Sequence, residues 1–187
     1  MNLSDFCRCY TNAADHELVK EMLHWFREDT ESKTVTANRD TRKDLQKWVP
    51  VGTHLYNKIE QVKRSTLDMY LDEFPYVYKG AKKLISEETK IQKTATQGGG
   101  FHNFHSEISH YKNIRRVLTW TIYLNDIDEG EGETEFLLEG IKIQPKRGMM
   151  CIFPASFPWQ HRGNPVHKHS KYISTGWWLF PEEGKMD

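Results

Sequence analysis

Two histidines and a glutamate fall within "FHNFHSE", residues 101–107, directly behind Gly98, Gly99 and Gly100. Imidazole nitrogen and carboxylate oxygen are the donors that hold Zn(II), Fe(II) or Mn(II), so the chemistry depends on which of these side chains share a face. In an extended strand, residues i and i+2 point the same way. His105 and Glu107 then lie together, with Phe101 and Asn103, while His102 and His110 have the opposite parity. A chain with 9 histidines produces His-x-Glu readily by chance. Taken alone, the pair favours a structural strand over a metal site.

The following strands add partners. In "VLTWTIYL", Leu118, Trp120, Ile122 and Leu124 make one apolar face, and Val117, Thr119, Thr121 and Tyr123 make the other. That second face suits either solvent or a polar cavity inside a barrel. In "KYISTGWWLF", Lys171, Ile173, Thr175 and Trp177 share a face. Lys171 is then either a strand-end charge in water or a buried cation awaiting an anion. Between these strands, "WQHRGNPVHKHSK" supplies three more histidines. His167 and His169 follow Asn-Pro in a polar loop and face water, whereas His161 follows an aromatic stretch from which it can reach back toward a barrel mouth.

The elements that must position these residues divide the chain. The first part, about 1–89, has helical periodicity. Leu18, Met22, Trp25 and Phe26 form a stripe in "AADHELVKEMLHWFREDTES", and Ile59, Val62, Met69 and Tyr70 form a looser one in a helix starting at Asn57. "YKGAKKLISEETK" is expected to add a helical turn. The polar stretch from residue 30 to 56 reads as a long loop. From about Lys90 to residue 180 the period becomes two, in short strands separated by Gly, Pro, Asn and Asp. Such a series predicts a sandwich or barrel, with the helices packed against one side, in a single domain over 1–187.

Composition limits the function classes. Lys plus Arg and Asp plus Glu number 26 each, a balance that argues against an extended nucleic-acid surface. The three cysteines, Cys7, Cys9 and Cys151, suit thiols in a reducing compartment better than a disulfide framework. Cys7 and Cys9 have no second pair to complete a metal clip. No signal-peptide pattern opens the chain and no stretch approaches the ~20 apolar residues of a membrane helix. A cytoplasmic location is expected.

The order of parts resembles a known family. A His-x-acid pair is followed by a "YLND" strand, an acidic turn ending in Gly-x-Thr-x-Phe, a Pro-x-x-Gly turn with an "IFP" strand, a histidine, and a lysine ten positions later. Over roughly residues 90–180 this order is similar to the iron(II)- and 2-oxoglutarate-dependent dioxygenases, within them the prolyl 4-hydroxylase-like group. The resemblance implies an α+β fold with a double-stranded β-helix (jelly-roll) core and N-terminal helices packed on one sheet. It implies His105, Glu107 and His161 as iron ligands, and Lys171, Tyr123 and Thr175 around the distal carboxylate of 2-oxoglutarate. Fe(II), 2-oxoglutarate and O2 would be the cofactor and cosubstrates, with ascorbate as a possible reductant. The reaction would be hydroxylation of an unactivated C–H bond with release of succinate and CO2; the sequence leaves the substrate open among peptidyl proline, another side chain, a free small molecule and a nucleobase.

The chain departs from that pattern at three places. Glu107 stands where the group more often has Asp, Glu131-Gly132 replaces paired glycines before Thr134, and the tyrosine often found upstream of the first histidine is absent, Thr94 and Thr96 being nearest. Two other readings use the same residues: a cupin-like metalloenzyme without 2-oxoglutarate, which leaves Lys171 and Tyr123 without a task, and a non-catalytic jelly-roll binding module, which leaves the buried lysine unexplained. The turn carrying Asp126, Asp128, Glu129, Glu131, Glu133 and Glu135 is either a solvated hairpin or a negative rim that disfavours polyanions and favours neutral or cationic substrates.

Overall fold

The computed structural model describes residues 3–30, 35–36, 42–78, 84–96, 98–138 and 140–182. In chain order its elements are β1 (Arg8–Tyr10), α1 (His16–Glu28), β2 (Val35–Thr36), β3 (Arg42–Trp48), α2 (His54–Glu73), β4 (Ile85–Thr94) and β5 (Gly100–Phe101). They continue with β6 (Arg116–Tyr123), β7 (Thr134–Phe136), β8 (Lys142–Ile143), β9 (Met150–Pro154), β10 (His161–Gly163) and β11 (Lys171–Leu179).

Two antiparallel sheets form the barrel. The large one runs β1-β9-β6-β11-β4-β3-β2, with β5 added against β3, and the small one runs β10-β7-β8. A single bridge between His105 and His161 ties the segment after β5 to the small sheet. The alternation in β6 works as expected from its sequence. Leu118, Trp120, Ile122 and Leu124 join one core with Leu18, Met22 and Phe26 of α1 and Leu55, Ile59 and Tyr70 of α2. Thr119 and Thr121 face the other way and line a cavity. A second, smaller core of Tyr123, Phe136, Ile143, Met149, Cys151 and Phe153 lies on the barrel side.

Helix boundaries follow from capping. Asp15 accepts from the Leu18 amide at 2.8 Å and starts α1; Thr53 accepts from the Tyr56 amide and starts α2 at His54, three residues before the expected Asn57. Such caps satisfy backbone donors that have no partner within the helix. Met69, expected in the buried stripe of α2, is exposed, and Lys63 and Thr66 are buried in that stripe instead. Among the described residues no helix is long and apolar enough to cross a membrane.

Four further expectations are corrected. The stretch 30–56 is not one long loop: β3 pairs with β4 from Asp44, opposite Thr94, to Trp48, opposite Lys90, with Gln46 opposite Gln92. Its polar residues Asp44 and Gln46 point inward while Leu45 is exposed, the reverse of an ordinary amphipathic strand, because this face closes a polar cavity. Residues 31–34 and 37–41 of the stretch lie outside the described ones. Ile85 begins a ten-residue strand rather than a helical turn; residues 79–83 of that expected turn are likewise outside the description, and the 3-10 turn lies earlier, at Pro75–Tyr78. The segment 101–107 is not a regular strand either, since it leaves β5 after Phe101 and makes a backbone bridge to the small sheet at the single residue His105. Strand β1, within the part expected to be helical, pairs with β9.

At the junction of α2 with the large sheet sits a fully buried lysine. The Lys63 ammonium bonds Glu60 and Ser86, lies 3.1 Å from the Thr89 hydroxyl, and stands 4.6 Å from the centre of a Trp120 ring. Burial pulls its pKa down and Glu60 opposes that shift. Removing one partner of such a pair strands a buried charge, whereas an apolar isostere of the lysine needs no countercharge. Glu60→Ala is therefore expected to lower stability by about 3 kcal/mol, and Lys63→Met to cost less or to stabilise, both read by chemical denaturation.

Candidate metal and cosubstrate site

The site begins at the backbone bridge. His105 N donates to His161 O at 3.0 Å and His161 N to His105 O at 2.9 Å, so two residues 56 positions apart are locked side by side. Glu107 N donates to Ala155 O at 3.0 Å and fixes the carboxylate two residues on. Each imidazole is then oriented locally. His105 Nδ1 lies 3.0 Å from Asn103 O and His161 Nδ1 lies 3.2 Å from Trp159 O. A carbonyl can only accept, so both Nδ1 atoms carry a proton, and each Nε2 is left as the atom turned toward Glu107, where it takes up a proton or a metal ion. Those Nε2 atoms stand 3.7 and 3.4 Å from Glu107 Oε1.

The three donor atoms lie within 4.8 Å of one another. Among the described residues this is the group of three or more His, Cys, Asp and Glu side chains that could hold a metal ion. Burial opposes charge on Glu107, but the His105 and His161 rings turned toward it outweigh that cost and hold the carboxyl well below its usual range. An anionic oxygen and two neutral imidazoles suit a divalent first-row metal, and two-His-one-carboxylate is the donor set of non-haem Fe(II) oxygenases. The donor chemistry fits iron.

Arg116 supports the carboxylate from behind: its Nη1 is 3.7 Å from Glu107 Oε2, its Nε donates to Glu87 at 3.2 Å, and its guanidinium lies 3.3 Å from the centre of the Trp177 ring. By strand parity Arg116 belongs with Leu118 and Trp120 on the helix side. It reaches the cavity because the β6–β11 register shifts there, Trp178 pairing with Leu118 and Leu179 with Arg116. Period-two counting misses such a bulge.

These residues line a cavity of about 360 Å³ that also takes in Lys171, Thr175, Thr121, Thr134, Thr94 and Ile173. Lys171 is 6% exposed and donates to Gly132 O at 2.6 Å, settling the choice left open by its sequence in favour of a buried cation. Burial lowers its pKa to about 8, with Glu133 acting against the shift. Thr175 lines the cavity; its hydroxyl donates to Trp120 O at 2.6 Å and lies 3.1 Å from that of Thr121. Tyr123 stands one layer behind: its hydroxyl bonds Thr134 at 2.8 Å, and Thr134 is the residue at the wall. Thr94, opposite Lys171 on β4, occupies the wall where the family pattern would suggest a tyrosine.

The remaining histidines are elsewhere. His102 braces two backbone carbonyls, those of Gly163 and Gly99, at 2.6 and 2.7 Å. His110 caps a 3-10 turn, and His167 and His169 are exposed. The acidic turn is largely consumed by structural bonds rather than presented as a negative rim. Glu131 accepts from the His167 and Lys168 amides, Glu133 from Asn164, Asp126 from the Arg147 amide, Glu135 pairs with Arg162, and Asp128 with Lys168. Sequence reasoning missed Lys90 and Asp44 at the cavity wall: Asp44 sits in a stretch that reads as a polar loop, and Lys90 at the very start of the region of alternating period.

Comparison with known proteins supplies the context for this geometry. No curated protein sequence is similar enough to this chain to register as a relative. Among solved structures, a prolyl-4-hydroxylase from Pseudomonas putida shares 17% identity with a TM-score of 0.73, over 96% of this chain and 97% of that one. The viral collagen prolyl hydroxylase of Paramecium bursaria Chlorella virus-1, solved with 2-oxoglutarate, shares 18% at a TM-score of 0.70, over 95% and 97%. A prolyl hydroxylase from Trichoplax adhaerens, in complex with a peptide fragment of the hypoxia inducible factor oxygen degradation domain, shares 15% at 0.72, over 95% and 84%. At these identities the likeness establishes the double-stranded β-helix fold. Residues 89–179, which hold all three donors and Lys171, match the model of the 2OG-Fe(II) oxygenase superfamily. Over that stretch the chain is similar to that superfamily, and the match together with the His–Glu–His group supports an enzyme using Fe(II), 2-oxoglutarate and O2.

Proposed function

We propose that the enzyme hydroxylates a peptide substrate, with peptidyl proline as the leading target, and that His105, Glu107 and His161 hold the iron while Lys171 holds the distal carboxylate of 2-oxoglutarate. The observation that carries the reading is that the His–Glu–His group and the buried lysine line one cavity. When bound, iron with 2-oxoglutarate and O2 supplies the oxidising power that places a hydroxyl on an unactivated C–H bond and releases succinate and CO2. The protein's part is positioning and shielding. The Asn103 and Trp159 carbonyls keep the imidazoles in the ligating tautomer, and Arg116 steadies the second oxygen of Glu107. The Lys171 ammonium, costly when buried alone, becomes favourable against a dianion. Thr134, backed by Tyr123, and Thr175 with Thr121 offer hydroxyls on the same wall.

A peptide substrate is supported by the prolyl hydroxylases among the structural neighbours, one of them bound to a peptide. The cavity, about 360 Å³, is within the usual size range for small-molecule sites. The test is a panel of proline-containing peptides with Fe(II), 2-oxoglutarate and O2, scored for succinate and for addition of one oxygen atom to the peptide. Succinate formation with another substrate class, and none with any peptide, would overturn the peptide assignment.

The ligand assignment has its own expected outcome. Losing an outer-shell partner of a ligand typically costs ~10–100-fold in metal affinity, so Ala at His105, Glu107 or His161 is expected to cost more than about 100-fold. His167→Ala and His169→Ala should bind Fe(II) as the parent does, measured by metal titration under anaerobic conditions.

Lys171→Ala should leave metal affinity of the 2-oxoglutarate-free protein nearly unchanged and raise the KM for 2-oxoglutarate. A hydrogen bond to a charged partner contributes ~1.5–3 kcal/mol, or roughly 10- to 150-fold. The pH dependence has a definite sign. The ammonium is the binding form and its pKa in the free protein is lowered to about 8. Affinity for 2-oxoglutarate should thus be flat below that pH and fall as pH rises through it, and the fall should vanish in Lys171→Ala. Binding titrations from neutral to alkaline pH with Mn(II) in place of iron would read it.

A further inference from the structure

The three cysteines take no part in the site above, yet two of them are placed for a reaction of their own. Cys9 and Cys151 face each other directly across the antiparallel β1–β9 pair, at the end of the large sheet where β1 is the terminal strand. Directly opposed residues of such a pair stand ~4.5–5.5 Å apart at Cα, inside the ~4.4–6.8 Å range that a disulfide spans. They also share a face. For Cys151 that face is the interior, because its partner on β6 is the cavity-lining Thr121 and its neighbours in the barrel-side core are Tyr123, Met149 and Phe153.

The two thiols differ in exposure and in chemistry. Cys151 is fully buried and Cys9 is exposed. A hydrogen bond from the Cys151 thiol lowers the pKa of Cys9; the same bond, together with burial, raises that of Cys151 well above its ordinary value. The exposed thiol of lower pKa is the one that reacts first with an oxidant, and the buried one waits beside it. Neither belongs to the His–Glu–His group of metal donors.

We propose that Cys9 and Cys151 are a redox modification site, forming a reversible intramolecular disulfide when the protein meets a hydroperoxide. The Cys9 thiolate attacks the peroxide, the O–O bond breaks, Cys9 becomes a sulfenic acid and an alcohol (or water, from hydrogen peroxide) departs. The Cys151 thiol then attacks the Cys9 sulfur, the S–O bond breaks, the S–S bond forms and water leaves. Two thiols lose two electrons and two protons in total, and the hydroperoxide is reduced by the same two electrons. The product staples β1, only three residues long, to β9. It thereby fixes the N-terminal segment in which Phe6 packs on Phe74 and Trp159.

The test uses the full chain loaded with Mn(II) in place of iron, so that added hydrogen peroxide is not split at the metal. After a small excess of peroxide, remaining thiols are alkylated under denaturing conditions and the protein is weighed and digested. The expected product is a monomer lighter by two hydrogens before alkylation, carrying one alkylated cysteine, Cys7. A cross-linked peptide pair should join Cys9 to Cys151, dithiothreitol should reverse it, and the oxidised form should melt higher. Cys7→Ser should behave in the same way, and Cys151→Ser should leave a Cys9 sulfenic acid that dimedone traps. A link through Cys7, a link between two chains, Cys9 driven to sulfinic acid while Cys151 stays alkylatable, or no oxidation of Cys9 at all would each overturn the proposal.

Discussion

A largely buried carboxylate set between two imidazoles is the constraint on which the rest of this molecule depends. Glu107 is held in its charged form by the His105 and His161 rings turned toward it, against the cost of burial. That balance requires both rings to point their Nε2 atoms at one place. The rings are set by carbonyls two residues upstream of each, and the two backbones are set by each other. A reciprocal pair of backbone hydrogen bonds between His105 and His161 thus does for the site what no single side chain could: it fixes the relative position of ligands carried by segments far apart in the chain.

The barrel exists to make that meeting possible in a dry, polar interior. Its strands have two different jobs on their two faces. On β6 the helix-facing row of Leu118, Trp120, Ile122 and Leu124 supplies the hydrophobic burial that holds the sheet to α1 and α2. The cavity-facing threonines of the same strand contribute hydroxyls instead. The separation keeps apolar burial, which stabilises, away from the polar lining, which must be desolvated to be useful. Where the two meet, at Lys63 under Trp120, a buried charge has required its own counter-ion and hydroxyls.

The acidic turn shows how a loop with no secondary structure of its own can be made stiff. Its carboxylates are tied to backbone amides and side chains of the segments at 147 and 162–168. The result is that the Gly132 carbonyl, in the middle of the turn, is presented to the Lys171 ammonium. A residue pair that replaces the glycines usual in the family, Glu131-Gly132, has become the clamp: the glutamate anchors the loop and the glycine supplies the acceptor.

By itself the sequence determined the chemistry and the kind of scaffold. Parity grouped His105 with Glu107 and kept His102 apart; alternation separated the two faces of β6; the order of motifs between residues 90 and 180 identified the fold and the lysine at the far wall. The two faces of β6 were legible because alternation along one strand is local, and the lysine was legible through the ordered set of motifs as a whole; His105 and Glu107 meet although their segment leaves β5 after Phe101. Only the tertiary structure decided what depends on breaks in that alternation or on pairing between distant segments. The β6 bulge turns Arg116 into the cavity. Strand β3, with Asp44 and Gln46 inward and Leu45 outward, looked like a loop because its hydrophobic pattern is inverted by the polar cavity it faces. The pairing of Cys9 with Cys151 is set by an edge-strand register between residues 142 positions apart (151 − 9), which no local pattern encodes.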